Sequence, residues 1–150
     1  MSLQAKVREF HEKFGFGRSV LEGPHPRVNQ FLQEFATGLL HEANSAGEYY
    51  KFTKDPRFYR LHLMMEELGE ICEAMSQSNE VLLADGIADL LYVTLGTAET
   101  FNIPAEAVFD EVHRSNMSKT RDDNDSRMRC KDPARGYFPP DVAKVLREHK

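Results

Sequence analysis

The sequence predicts an all-α protein, an antiparallel helical bundle forming a single domain over residues 1–150. Three observations carry this expectation. Apolar residues recur three and four apart through most of the chain, the spacing of one helix face. Glycine and proline interrupt that pattern only at a few places. No stretch alternates strictly between apolar and polar residues, so no strand competes.

The first helix covers Leu3 to Phe14, where Val7, Phe10 and Phe14 recur at helical spacing. Gly15, Gly17, Gly23, Pro24 and Pro26 then break the chain. A second helix runs from about Val28 to Ala43, with Phe31, Leu32, Phe35, Leu39 and Leu40 on its apolar stripe. Asn44 to Asp55 reads as a polar connection. A third helix starts near Pro56, a residue suited to a first helical turn, and runs to about Ser76. Ser78 or Asn79 can cap a fourth, which continues to about Phe101. Pro104 opens a fifth, through Val108, Phe109 and Val112 to about Lys119. Thr120 to Pro140 is charged and loop-like, and a short last helix follows Asp141.

The strongest chemical statement lies in the third and fourth helices. From Val81 to Ala98 the chain carries no charge except Asp85 and Asp89. A helix apolar nearly all round is expected to be buried. A buried carboxylate is costly unless it is paired, protonated or bound to a metal. Asp85 and Asp89 lie one helical turn apart on one face. The preceding helix offers Glu66, Glu67 and Glu70, and Glu67 and Glu70 also share a face. On the helical wheel Met64, Leu68, Ile71 and Met75 turn to the core, Glu67 stands at the edge of that stripe, and Glu66 and Glu73 are more exposed. Carboxylate pairs on neighbouring helices make an oxygen cage suited to a hard divalent cation such as Mg²⁺, with Mn²⁺ as a substitute. The competing readings are a solvated acidic face for the glutamates and salt bridges in the core for the aspartates. Repulsion between Glu66 and Glu70, with no basic residue in the segment to relieve it, favours the cation.

Composition narrows the function. The 150 residues are 41% hydrophobic and carry 24 acidic against 19 basic groups, a formal charge of -5. That balance argues against a nucleic-acid polymer as partner, but not against a small polyphosphate neutralised by a metal. Cys72 and Cys130 are too few for a disulfide framework. Lys6, Arg8 and Glu9 interrupt any signal-like run, and the two aspartates interrupt the apolar segment, so a cytoplasmic protein without a membrane span is expected.

The segment EVHRSNMSK, from Glu111 to Lys119, places Asn116 and Lys119 three apart, with His113 and Arg114 one turn back. Lys119 and Arg114 are natural phosphate donors. The alternative is an ordinary basic helix C-terminus. Asp110 and His113 have the spacing of a carboxylate–histidine metal pair, but that motif occurs once, without a partner copy. Tyr49, Tyr50 and Lys51 offer stacking and charge, and the tail RGYFPPD from Arg135 could wrap a neighbour or close over a ligand.

Taken together, EELGE at Glu66–Glu70, DGIADLLYVTLGTA and EVHRSNMSK resemble the all-α nucleotide pyrophosphohydrolases of the MazG-like and phosphoribosyl-ATP pyrophosphohydrolase-like kind. VREFHEKFG near the N-terminus and the GYFPPD tail extend the likeness to the phosphoribosyl-ATP branch. The resemblance implies a MazG-like antiparallel helical core assembled as a dimer or dimer of dimers. It implies Mg²⁺-dependent cleavage of a nucleoside triphosphate to monophosphate and pyrophosphate. By position, Glu67, Glu70, Asp85 and Asp89 would ligate metal, Glu66 would orient or deprotonate water, and Asn116 and Lys119 would hold phosphate. Two departures stand out: the family's second motif often reads ExxD, which would put Glu at position 86, where this chain has Gly86 beside Asp85, and the segment from about Val28 to Phe52 is longer than the family's usual connection. The expected function is nucleotide-pool housecleaning on a (deoxy)nucleoside triphosphate. Its rivals are phosphoribosyl-ATP hydrolysis in histidine synthesis and a non-enzymatic helical dimerisation module.

Overall fold

The computed structural model describes residues 1–23, 25–122 and 129–149, which fold into helices with almost no sheet. The helices are α1 (Leu3–Phe14), α2 (Pro26–Thr53), α3 (Pro56–Ser76), α4 (Glu80–Thr100), α5 (Ala105–Met117) and α6 (Val142–His149). Two-residue strands β1 (Thr120–Arg121) and β2 (Arg129–Cys130) pair antiparallel, a departure from the expected loop. Residues 123–128 of that expected loop, and Pro24 of the first break, lie outside the described residues. The chain forms two compact units, one from Val20 to Phe101 and one from the flanking segments 1–19 and 102–150.

In the 20–101 unit, α3 packs against both α2 and α4. Its boundaries follow from its end residues. The Asp55 side chain accepts the Arg57 N–H at 2.9 Å, satisfying a donor the helix leaves unpaired, and Pro56 occupies the first turn. Asn79 caps α4 by accepting the Leu82 N–H at 3.1 Å. Contacts between Gln33 and Ser76, Ala43 and His62, and Tyr50 and Tyr59 run α2 and α3 antiparallel. Arg60 reaches the Val93 carbonyl at 2.9 Å and the Thr97 hydroxyl at 3.2 Å, which runs α3 and α4 antiparallel as well.

Two expectations need correction here. The polar connection over Asn44 to Asp55 is helix: α2 continues unbroken to Thr53 and ends where Lys54 turns left-handed at φ 56°. The reason lies in small residues. Ala36, Ala43 and Ala46 are buried, so α2 lies close along α3, and the ring of His62 sits against Gly47. Tyr49 then stacks on Phe58, and Tyr50 packs on Tyr59. Within this chain, moreover, α4 is not a buried helix. Only Gly86 and Val93 are buried along it, while Val81, Leu82, Ile87, Leu91, Tyr92 and Leu95 are exposed. A single helix packing against one side of α4 covers one face and leaves the opposite face open.

In the other unit, α1 and α5 are tied by charge. Lys6 pairs with Asp110, the Lys13 ammonium donates to the Met117 carbonyl, and His113 faces Glu9 at 3.2 Å. Asp110 and His113 are therefore engaged by α1, which accounts for both without a metal. Phe14 is almost wholly buried against Phe10 and Phe16. The tail from Phe138 lies along α5: Ser115 donates to the Phe138 carbonyl at 2.8 Å, and the Asp141 N–H donates to Glu111 at 2.7 Å.

Candidate active site

The carboxylates singled out by their spacing converge on α3 and α4. Glu66, Glu67 and Glu70 stand on α3, and Asp85 and Asp89 stand on α4. What brings the two helices close is the absence of a side chain at Gly86. A Cβ there would lie 2.9 Å from Cγ1 of the buried Ile71, closer than packed carbons approach. This explains the departure from the ExxD pattern: position 86 turns to the helix interface, and the acid stands one residue earlier, at Asp85.

Glu67 is the centre of the cluster. Burial pushes its carboxyl above the ordinary carboxylate range, and the charges of Glu70, Asp89, Glu66 and Asp85 push it further the same way. Four acids on two helices thus act on one. Among the described residues, no three His, Cys, Asp or Glu side chains meet closely enough to ligate one ion. The cluster is an electrostatic one, and its chemistry is that of an all-oxygen donor set, which fits a hard divalent cation.

The faces differ in part from those expected. Glu67 is half-buried, as its place at the stripe's edge predicts, but Glu70, Asp85 and Asp89 are exposed in this chain. Leu68, expected in the core, is 40% exposed, whereas Ile71 is buried. Glu66 is less exposed than expected, and a residue that sequence reasoning did not single out stands beside it. His62, one turn before it, places Nδ1 2.8 Å from the Ala43 carbonyl and Nε2 3.7 Å from a Glu66 oxygen. The i, i+4 spacing of His62 and Glu66 was visible in the sequence, but the backbone oxygen that orients the ring was not. Glu73, also less exposed than expected, lies within 3.5 Å of the Gln33 amide and away from the cluster.

The phosphate-binding candidates belong to the other unit. Lys119 donates to the Asn116 side-chain oxygen at the end of α5, so the two act as a pair. Arg114 is already engaged: Glu111 grips it through two hydrogen bonds of 2.6 and 2.7 Å, and its guanidinium lies 4.1 Å over the Phe138 ring. The Arg114 guanidinium and the Asp141 N–H hold the Glu111 carboxyl down to a pKa of about 2. Arg114 therefore serves first to hold the tail. Lys51 pairs with Glu48 at 2.6 Å.

A family model described as phosphoribosyl-ATP pyrophosphohydrolase matches residues 32–116. The match takes in most of α2, the whole carboxylate cluster and Asn116. Lys119, the VREFHEKFG segment and the tail lie outside it. An uncharacterised protein of Acanthamoeba polyphaga mimivirus is 33% identical over 76 residues, which are 49% of this chain and 30% of that protein. The chain thus spans about a third of the length of this curated relative. No solved structure matches it.

Proposed function

The chain belongs to the phosphoribosyl-ATP pyrophosphohydrolase family, and on that premise we propose that it is a metal-dependent nucleotide pyrophosphohydrolase. It would cleave a (deoxy)nucleoside triphosphate to the monophosphate and pyrophosphate, in the role of nucleotide-pool housecleaning. The observation that supports this best is Glu67, on whose carboxyl Glu70, Asp89, Glu66 and Asp85 all act in the same direction. An acidic cluster of that kind repels a polyphosphate unless a cation intervenes.

Glu67, Glu70, Asp85 and Asp89 would hold Mg²⁺ or Mn²⁺. When bound, such an ion neutralises the phosphates, polarises the phosphoryl oxygens and lowers the pKa of a water. Glu66, the remaining carboxylate, accepts the proton of the attacking water as its oxygen bonds to phosphorus and the phosphoanhydride bond to pyrophosphate breaks. Asn116 and Lys119 would bind phosphate oxygens and steady the charge on the leaving group.

A second reading, hydrolysis of phosphoribosyl-ATP, is favoured by the description of the matching family. Both readings share the bond broken and the carboxylates used, and differ in what lies beyond the triphosphate. The deciding experiment is pyrophosphate release with Mg²⁺ across standard and modified nucleoside triphosphates and phosphoribosyl-ATP. Preference for phosphoribosyl-ATP selects the second reading, and release from none of them overturns both.

A further inference from the structure

We propose that His62 is a positioning residue for Glu66, an inference that rests on Glu66 acting on the attacking water. The ring is anchored through one nitrogen. Its Nδ1 lies 2.8 Å from the Ala43 carbonyl of α2, and a carbonyl only accepts, so Nδ1 carries a proton and donates it. The ring lies over Gly47, where an added Cβ would stand 3.5 Å from Nδ1, an ordinary van der Waals contact. These contacts set the ring plane and leave Nε2 as the nitrogen presented to Glu66, 3.7 Å from its oxygen.

That separation is an electrostatic contact just longer than a hydrogen bond. Contacts of this kind often tighten only when substrate is bound. His62 and Glu66 stand one helical turn apart on α3, so a small change of the Glu66 side chain closes the gap. As the imidazolium, with both ring nitrogens protonated, His62 gives Nδ1–H to the Ala43 carbonyl and Nε2–H to one Glu66 oxygen, which directs the other oxygen away from His62 and leaves it free to accept from water. Glu66 and Glu67 act on each other as like charges, and a Glu66 carboxylate without a restraint would swing toward solvent. The chain of contacts from backbone carbonyl through imidazole to carboxylate orients the base much as outer hydrogen bonds orient metal-binding side chains. The anchor comes from Ala43 on α2.

Two substitutions separate this role from a structural one. His62→Asn keeps an amide N–H where Nδ1 stood, and so the bond to Ala43, but has nothing at Nε2. His62→Gln carries its amide further out, toward Glu66. On the nucleotide that wild type turns over best, His62→Asn should lower kcat by roughly 10- to 100-fold, the range for outer-shell partners, at little-changed KM. His62→Gln should recover part of that loss, and the melting temperature of His62→Asn should stay close to that of wild type. A second readout needs no turnover: in ¹⁵N-histidine spectra of the free protein, Glu66→Gln should shift the Nε2 resonance of His62 and leave Nδ1 nearly unmoved.

Unchanged kcat in a folded His62→Asn variant overturns the inference and leaves the pyrophosphohydrolase reading standing. If His62→Asn does not fold, the spectra decide, and an Nε2 signal indifferent to Glu66→Gln overturns it. If wild type releases pyrophosphate from no nucleotide, the reading fails and the catalytic role of His62 fails with it.

Discussion

The charge on Glu67 depends on the carboxylates around it in the α3–α4 cluster. Its carboxyl is raised above the ordinary value of 4.5, first by burial and then by its acidic neighbours. The folded chain therefore binds this proton more tightly than the unfolded chain does. The stability it contributes is complete below the unfolded pKa and is lost as pH rises through the folded one. Metal-free protein should melt progressively lower as pH rises from about 4.5 toward neutrality. Glu67→Gln should flatten that slope, and Mg²⁺ at neutral pH should raise the melting point by binding only the folded cluster. Scans that are identical with Mg²⁺ and with EDTA, on protein shown to be metal-free, would refute the cation site. Asp89→Asn removes one ligand charge and keeps the side chain's shape, so it should abolish pyrophosphate release with the circular dichroism spectrum unchanged. Glu73→Gln should be nearly silent, because Glu73 lies beside Gln33 and not in the cluster. Equal losses in the two variants would mean that the faces of α3 are misassigned.

The helices that position the site were legible in the sequence where an end residue marks a boundary. Leu3–Phe14 stops at Gly15, which adopts the left-handed conformation at φ 72° that glycine takes most easily. Pro56 after Asp55 marks the start of α3, and Asn79 marks that of α4. The continuation of α2 through Asn44 to Thr53 was not legible, because a mixture of alanine, glycine, tyrosine and charge has no single local preference. Packing decides it, as Ala43 and Ala46 are buried and Tyr49 and Tyr50 meet aromatic rings on α3. The acidic half of the site was legible from spacing alone, whereas the place of His62 depends on a carbonyl 19 residues away. Gly86 belongs to this scale, since it sets how closely α3 and α4 approach. Gly86→Ala should gain about 1 kcal/mol in helix propensity. It must also push Ile71 out of a buried position, and overpacking costs roughly 1–3 kcal/mol. We expect a net loss of roughly 1 kcal/mol in urea denaturation. A net gain would show that Ile71 can yield and that the α3–α4 spacing is not fixed at this point.

For the molecule as a whole, the open question is what covers α4. Gly86 and Val93 face α3, and by helical periodicity Ile87, Leu91 and Leu95 line the opposite side, about half exposed at 47, 56 and 47%. Contiguous apolar patches are rare on soluble monomers. Among the described residues, α4 is also the one helix long and apolar enough to cross a membrane by length and composition. Asp85 and Asp89 argue against that occupant, because each costs about 2.5–3.5 kcal/mol at the centre of a bilayer. A second copy of the chain, in a dimer or tetramer, is the cover we propose. It takes the apolar face out of water while leaving the aspartates, on another side of α4, beside Glu67. Static light scattering at micromolar concentration should therefore give at least twice the chain mass of 17.2 kDa. Leu91→Glu puts a charge in the middle of the exposed stripe and touches neither the α3 contact nor the acidic cluster. It should shift the mass toward one chain with helicity retained, and the melting temperature of wild type, but not of the variant, should rise with protein concentration. A wild-type mass of one chain would refute the assembly. Co-flotation of that monomer with lipid vesicles would then assign the apolar face of α4 to a membrane surface instead.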